Sequence, residues 1–274
     1  SFPHIIELGL AGNSIHGTVP SSIGLCTDME IFNLYRNSIT GQLPVELGAM
    51  TNIQIFDVSF NKLTGPLPPF NQSLLVQFYA FANKLSGTLP SLMFRNTSLQ
   101  SLSVAMNRMT GALPSTLDSA NQLTYFNLDD NTFQGELSQV HFPPLLKYIN
   151  VNNNSFTGLS PLGSMCATGL GALQEIYLGY NHFTGSIPDC IGQFTSLLLL
   201  NIEHNTMEGS VPSTMNSLTT LQTVILSNNM FVGGLVGVWN STMLQTVDVS
   251  NNQFSGSVPY SLFDLRSSSN TDSK

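Results

Sequence analysis

The stretch IQIFDVSFNKLTG, residues 53 to 65, decides the fold of this chain. Its spacing of apolar residues, one asparagine and one glycine recurs from Ile5 to Gly17 and from Leu244 to Gly256, and eleven copies align on the asparagine. These asparagines are Asn13, Asn37, Asn61, Asn83, Asn107, Asn131, Asn154, Asn181, Asn205, Asn229 and Asn252. Six of the ten intervals between them are 24 residues long, and the others range from 22 to 27. Repetition at such a period indicates a solenoid.

Each position of the copy has a physical reason. Phe56 and Val58 alternate with Asp57, which predicts a short strand with apolar side chains inward and variable ones outward. Asn61 follows where the backbone leaves the strand, and its amide can bond main-chain groups that the turn leaves unpaired. Gly65 suits a tight turn. Stacked repeats then share one continuous core.

The second half of most copies contains an apolar residue followed by proline, as in Leu43-Pro44 and Val211-Pro212. Proline fixes φ and lacks a donor, so this half is not an ordinary central strand. We expect a curved, right-handed stack of about eleven 24-residue repeats over residues 1–266, with a parallel concave sheet and a 3-10 or irregular convex side. The tail at 267–274 is expected to be disordered.

One copy is longer than the rest. Its extra residues, 160 to 170, are expected to bulge outward. Cys166 lies here, 24 residues before Cys190, which suggests neighbouring turns of the stack. The pair forms either a disulfide or two separate buried thiols. Cys26 is expected to fill the core.

Composition excludes several classes of function. Charged residues are 9% of the chain and the net charge is −8, which makes nucleic acid and anionic membranes poor partners. No apolar run is long enough to cross a bilayer. Metal-ligand spacings, phosphate loops and nucleophile elbows are missing. Asp129 and Asp130 are consecutive, so their side chains point apart and do not face each other across a substrate. We therefore expect no enzyme, no metal and no cofactor.

The repeats resemble a known family. IQIFDVSFNKLTGPLP, from Ile53 to Pro68, and the stretch Leu173 to Ile191 are similar to LxxLxLxxNxLTGxLPxxLGxLxxL, the plant-specific class of leucine-rich repeat. The resemblance covers about residues 5–265. That class forms ectodomains of receptor-like kinases and receptor-like proteins, and secreted inhibitors of polygalacturonase. The paired-cysteine caps usual in plant ectodomains are missing here.

The resemblance implies an α/β leucine-rich-repeat solenoid that is secreted or displayed at the cell surface. The leading hypothesis is an extracellular module that recognises a ligand. The alternatives are a secreted inhibitor or defence protein of the polygalacturonase-inhibitor type, and a structural or adhesive surface protein of an alga or protist. Binding to ice or a mineral surface through the recurring threonines is a further alternative, although these threonines do not occupy one position of the repeat. Four N-x-Ser/Thr sequons predict a glycoprotein. They are Asn71, Asn96, Asn153 and Asn240.

The outward strand positions locate the candidate binding surface. Repeats are numbered here by their asparagines, so that repeat 4 contains Asn83 and repeat 9 contains Asn205. Repeats 4 to 9 carry most of the outward aromatic residues, together with acidic ones. The candidate ligand-binding residues are Tyr79, Phe81, Tyr125, Asp129, Tyr148, Glu175, Tyr177, Tyr180 and Glu203. Large rigid aromatic residues beside acidic ones suit a basic or aromatic peptide or a protein surface. Aromatic rings also stack on sugar rings, so a glycan is a further candidate ligand. Alternatively, these aromatics merely cover the sheet.

Overall fold

The computed structural model describes residues 4–95, 98–235, 239 and 241–258. The chain divides into two compact units, Ser1–Gly135 with Val140–Ser155, and Glu136–Gln139 with Phe156–Lys274. Each unit is a stack of short parallel strands, which confirms the predicted solenoid fold. No helix in the described ranges combines the length and the hydropathy needed to cross a membrane.

The odd-numbered strands are the ones predicted from the alternating residues. In the first unit they are β1 (Glu7–Gly9), β3 (Ile31–Asn33), β5 (Ile55–Asp57), β7 (Gln77–Tyr79), β9 (Ser101–Ser103), β11 (Tyr125–Asn127) and β13 (Tyr148–Asn150). In the second they are β15 (Glu175–Tyr177), β17 (Leu199–Asn201), β19 (Thr223–Ile225) and β21 (Thr246–Asp248). Within each unit every strand pairs in parallel with the next. The register places Tyr79 opposite Ser103, and Ser103 opposite Asn127.

The even-numbered strands run through the glycine of each repeat. They are β2 (His16–Thr18), β4 (Ser38–Gln42), β6 (Lys62–Pro66), β8 (Lys84–Gly87), β10 (Arg108–Gly111), β12 (Thr132–Glu136), β14 (Ser155–Leu159), β16 (His182–Thr184), β18 (Glu208–Ser210), β20 (Met230–Gly233) and β22 (Gln253–Phe254). The glycine of the repeat predicts only a turn here. Gly65 does adopt a φ of 75°, which a residue with a Cβ rarely takes, but it does so inside β6.

Short helices form the opposite side of most repeats. The 3-10 helices are Ser21–Leu25, Val45–Ala49, Ser91–Arg95, Ser115–Ser119, Asp189–Gln193 and Ser213–Ser217. Proline immediately precedes several of them, as Pro44 does with φ −70°. Its fixed φ and missing N–H suit this entry position, because the first turn of a helix leaves donors unpaired in any case.

The long repeat contains the one α-helix of the described residues, α1 (Leu162–Ala167). The expected outward bulge is wrong, because Leu162 and Met165 have no exposed surface. They lie three residues apart and so project from one face of α1, where burial against the core removes both from water.

The sulfur atoms of Cys166 and Cys190 are joined in a disulfide with Cα atoms 5.9 Å apart. The bond connects α1 to the 3-10 helix Asp189–Gln193 within the second unit. Cys26 is a free thiol and is only partly buried, so the expectation that it fills the core is wrong.

The buried asparagines connect successive repeats. The side-chain amide of Asn61 donates to the carbonyls of Leu34 and Val58, at 2.9 and 3.1 Å. Its oxygen accepts the backbone N–H of Ile39 at 2.9 Å. One residue thus satisfies main-chain groups of two repeats, which confirms the predicted ladder.

Candidate functional site

The outward side chains of the odd-numbered strands form a surface that we call the strand face. It consists of the first and third residues of each of these strands and the residue two positions after the strand. In β7 the middle residue, Phe78, has no exposed surface, while Gln77 and Tyr79 on either side are half-buried. This alternation follows from the period of two along a strand, and it places every predicted strand-face residue of repeat 4 outward.

A depression in the strand face of the first unit has a volume of about 450 Å³. We call it the slot. It is lined by Tyr79, Phe81, Ser101, Ser103, Ala105, Met106, Tyr125, Asn127 and Asp129. Four of the predicted ligand-binding residues therefore come together around one cavity.

The floor of the slot is repeat 5, whose outward residues are all small. Ser103 and Ala105 are only 4% and 5% exposed although they face outward, because taller neighbours overhang them. Neighbouring strands lie about 4.8 Å apart, so the backbones of the two walls, repeats 4 and 6, are about 10 Å apart. The wall residues were predicted from the sequence, whereas the floor residues were not. The signal for the floor was SLSVA, residues 101 to 105, where aromatic residues give way to serine and alanine.

The walls are held in place by contacts of their own. The Tyr79 hydroxyl donates to Oγ of Ser101 at 2.8 Å. Tyr125 stacks on Tyr148 with ring centroids 4.4 Å apart and an angle of 14° between the planes. Nδ2 of Asn127 donates to the Tyr125 hydroxyl oxygen at 3.2 Å. A surface ordered in this way loses less conformational entropy when a ligand binds.

Asp129 is the acidic group of the slot. Burial and, to a smaller extent, the negative charge of Asp130 together raise the pKa of its carboxyl to about 6, although a hydrogen bond from the backbone N–H of Asp130 lowers it. Asp130 itself accepts a hydrogen bond from Nδ2 of Asn153. A positive group in the slot would favour the ionised form of Asp129, because an opposite charge nearby offsets the loss of hydration.

An apolar strip leads up to the slot along the ends of the strands. Tyr35 meets Phe60 edge to face at 5.6 Å, and Phe60 meets Phe81 in the same way at 5.2 Å. Phe60 is 44% exposed and Met106 is 52% exposed. Both have positive φ, at 52° and 54°. The name apolar strip is used below for Tyr35, Phe60, Phe81 and Met106. Of the four, only Phe81 is among the ligand-binding residues predicted from the sequence.

Of the remaining predicted residues, Tyr148 stacks on Tyr125 in the first unit, and the other four lie in the second unit, where they pair locally. The Tyr177 hydroxyl donates to Oε2 of Glu175 at 2.8 Å. Nδ2 of Asn201 donates to Oε1 of Glu203 at 2.9 Å. The ring of Tyr180 stacks on His204, with centroids 4.2 Å apart. Their part in ligand binding stays a prediction.

Two of the four sequons fall on described residues. Asn71 and Asn153 are exposed, and Nδ2 of Asn153 donates to Asp130. Asn96 and Asn240 lie outside the described residues. Glycosylation stays a prediction at all four. Among the residues that the structure describes, no three His, Cys, Asp or Glu side chains are grouped so as to hold a metal ion.

Comparison with known proteins places the chain in context. The family model described as Leucine Rich Repeat matches residues 172–194 and 243–265. Receptor-like protein 35 of Arabidopsis thaliana is 36% identical over 92 residues, which are 30% of this chain and 9% of that protein. The matched stretch thus spans about a tenth of the length of this relative.

Solved structures of plant receptors superimpose on nearly the whole chain. The structure of a TDR receptor superimposes with a TM-score of 0.81 and 26% identity, over 93% of this chain and 49% of that one. The Arabidopsis receptor kinase HAESA, solved with the peptide hormone IDA and the co-receptor SERK1, superimposes with a TM-score of 0.73 and 28% identity. That match covers 95% of this chain and 52% of the HAESA chain.

Proposed function

We propose, from the premise that this chain is a leucine-rich-repeat protein with repeats of the plant-specific class, that it is an extracellular ligand-recognition module. Its ligand is a peptide or protein that binds through the strand face of repeats 4 to 9. The chain acts by recognition, without a catalytic step.

The observation that carries this proposal is the slot. Tyr79, Phe81, Tyr125 and Asp129 were predicted from the repeat register alone, and they surround one cavity with a floor of small residues. Aromatic residues offer a large contact area at a small cost in side-chain entropy, and binding energy in interfaces concentrates on such residues. If the aromatic residues only covered the sheet, large side chains would be expected on repeat 5 as well, but its outward residues are serine and alanine.

The similar structures support a peptide or protein as the ligand. HAESA was solved with a peptide hormone and a co-receptor, and its repeats align with nearly all of this chain. An extracellular location agrees with the receptor-like relatives and with the disulfide between Cys166 and Cys190, because disulfides persist in oxidising compartments.

The test is affinity capture from an extracellular extract. The chain is compared with a variant carrying Tyr79→Ala, Phe81→Ala, Tyr125→Ala and Tyr177→Ala. A control variant carries Ile31→Ala and Ile225→Ala, outward positions in repeats 2 and 10. Circular dichroism and melting establish that all three are folded.

A partner captured by the chain and the control, and lost by the aromatic variant, is the expected result. Equal capture by all three proteins would exclude the strand face of repeats 4 to 9 as the binding surface. The chemical class of the partner, a peptide or a folded enzyme, separates a receptor module from an inhibitor.

A further inference from the structure

We infer that the slot binds the guanidinium group of an arginine in the ligand, with Asp129 as its partner, and that the apolar strip receives a neighbouring apolar or aromatic residue. This inference rests on the proposed function and specifies the chemistry of the ligand at one place in the strand face.

The shape of the slot suits a flat group. Phe81 and Asp129 occupy the same position of repeats 4 and 6, with Ala105 of repeat 5 between them. Their backbones are about 10 Å apart, which leaves a gap for one planar layer beside an aromatic ring. A guanidinium is planar, stacks on an aromatic face and donates two parallel hydrogen bonds to a carboxylate. Because the aromatic residue and the carboxylate stand on opposite walls, a guanidinium that directs one edge at Asp129 would bring its positive charge towards Phe81.

The charges of the first unit also favour a cation. Its strand face carries Glu7, Asp57 and Asp129, and among the described residues of that face there is no lysine or arginine. Asp130 adds a second carboxylate beside Asp129. A one-sided charge inside a partly desolvated cleft attracts counter-charge more strongly than an open surface does.

The burial of the Asp129 carboxylate also favours a positively charged group in the slot. Burial raises the pKa of this group, which means that its ionised form lacks a sufficient partner in the unliganded protein. An arginine would supply that partner. A lysine fits less well, because its ammonium is compact and strongly hydrated and does not stack as a flat layer. A neutral ring would leave the carboxylate unpaired.

The apolar strip determines what should lie beside the arginine. Tyr35, Phe60, Phe81 and Met106 follow one another across repeats 2 to 5 and end at the slot. Exposed apolar surface of this kind gains from burial under a ligand. A ligand segment that combines arginine with an aromatic residue would occupy the slot and the strip together.

The experiment uses blocked dipeptides as probes, N-acetyl-Arg-Phe-amide and its counterparts with citrulline or lysine in place of arginine. Citrulline has the shape of arginine without the charge. Binding is followed by NMR at the methyl group of Met106, which is exposed beside the slot, in protein labelled at its methionine methyls. Asp129→Asn removes the partner, and Asp248→Asn removes one carboxylate from the strand face of the second unit as the matched control.

We expect the Met106 signal to saturate with the arginine probe. Loss of a charge-assisted hydrogen bond should weaken binding by about tenfold with the citrulline probe, and equally with arginine on Asp129→Asn. The lysine probe should bind more weakly than arginine, and Asp248→Asn should bind like the unmodified chain. Melting curves confirm that both variants fold, and the citrulline comparison does not depend on any variant.

Equal binding of the arginine and citrulline probes, equal binding by Asp129→Asn, or no response of Met106 would each overturn the inference. None of these outcomes touches the proposed function, which the capture experiment decides through the aromatic variant. Conversely, probe binding as expected together with equal capture by the chain and the aromatic variant would retain the arginine site and reject the strand face of repeats 4 to 9 as the surface that captures the partner.

Discussion

The hydroxyl group of Tyr79 donates a 2.8 Å hydrogen bond to Oγ of Ser101, which lies on the next strand of the sheet. The two residues come from different repeats, and the bond draws the ring of Tyr79 over one end of the slot. A wall of the cavity is therefore fixed to its floor, and the opening that a ligand meets exists before the ligand arrives.

We expect Tyr79→Phe and Ser101→Ala each to lower the free energy of unfolding by about 1 kcal/mol, because a typical hydrogen bond contributes about that much. The double variant should cost little more than either single one. Denaturant unfolding of the four proteins measures the coupling. Strictly additive losses would show that the bond contributes nothing.

The buried ladder asparagines should contribute far more to the free energy of unfolding than exposed asparagines do. Asn131 is 8% exposed and donates to the carbonyls of Val104 and Leu128, while its oxygen accepts the N–H of Met109. Asn131→Ala leaves several buried main-chain groups without hydrogen-bond partners and should lower the free energy of unfolding by about 2–4 kcal/mol. Asn121→Ala, at an exposed position, is the control and should leave the unfolding midpoint unchanged. Similar midpoints for the two variants would contradict the role assigned to the ladder.

The disulfide should stabilise the second unit. Closing a loop of this length restricts the unfolded chain and contributes about 3 kcal/mol. Reductant should lower the melting temperature of the chain but not that of a Cys166→Ser, Cys190→Ser variant, and Cys26→Ser should behave like the chain itself. Thiol titration in denaturant without reductant should detect one thiol, that of Cys26. Three reactive thiols would show that the bond is absent in solution.

Asp129 should make stability depend on pH. Its pKa is raised to about 6 in the folded chain from 3.8, so between these values the folded state holds a proton that the unfolded state has lost. Stability therefore falls as pH rises from about 4 to 6 and is level above that range. The burial of Asp57 raises its pKa too, so the variant comparison isolates Asp129.

Asp129→Asn does not titrate, and its stability relative to the chain should rise over the same pH range. Unfolding in guanidinium chloride at pH 4, 5, 6 and 7 measures the difference. A constant difference at all four pH values would show that the carboxyl has no raised pKa.

Much of the candidate site was predictable from the sequence because alternation along a strand is local. Once Phe78 and Phe126 are recognised as inward residues, Tyr79 and Tyr125 must point outward. Other features were not accessible. The inward packing of α1 depended on whether the core had room for Leu162 and Met165, and the state of Cys166 and Cys190 depended on the distance between two turns.

The sequence by itself determined the repeat, the ladder asparagines and the direction of each strand side chain, since each of these depends on residues a few positions apart. Only the tertiary structure decided that Tyr79, Ser103 and Asn127 stand side by side. That register joins residues 24 positions apart, and it alone turns a row of small side chains into the floor of a slot with Asp129 on its wall. A cavity is defined by what neighbouring repeats leave empty, and no single repeat contains that information.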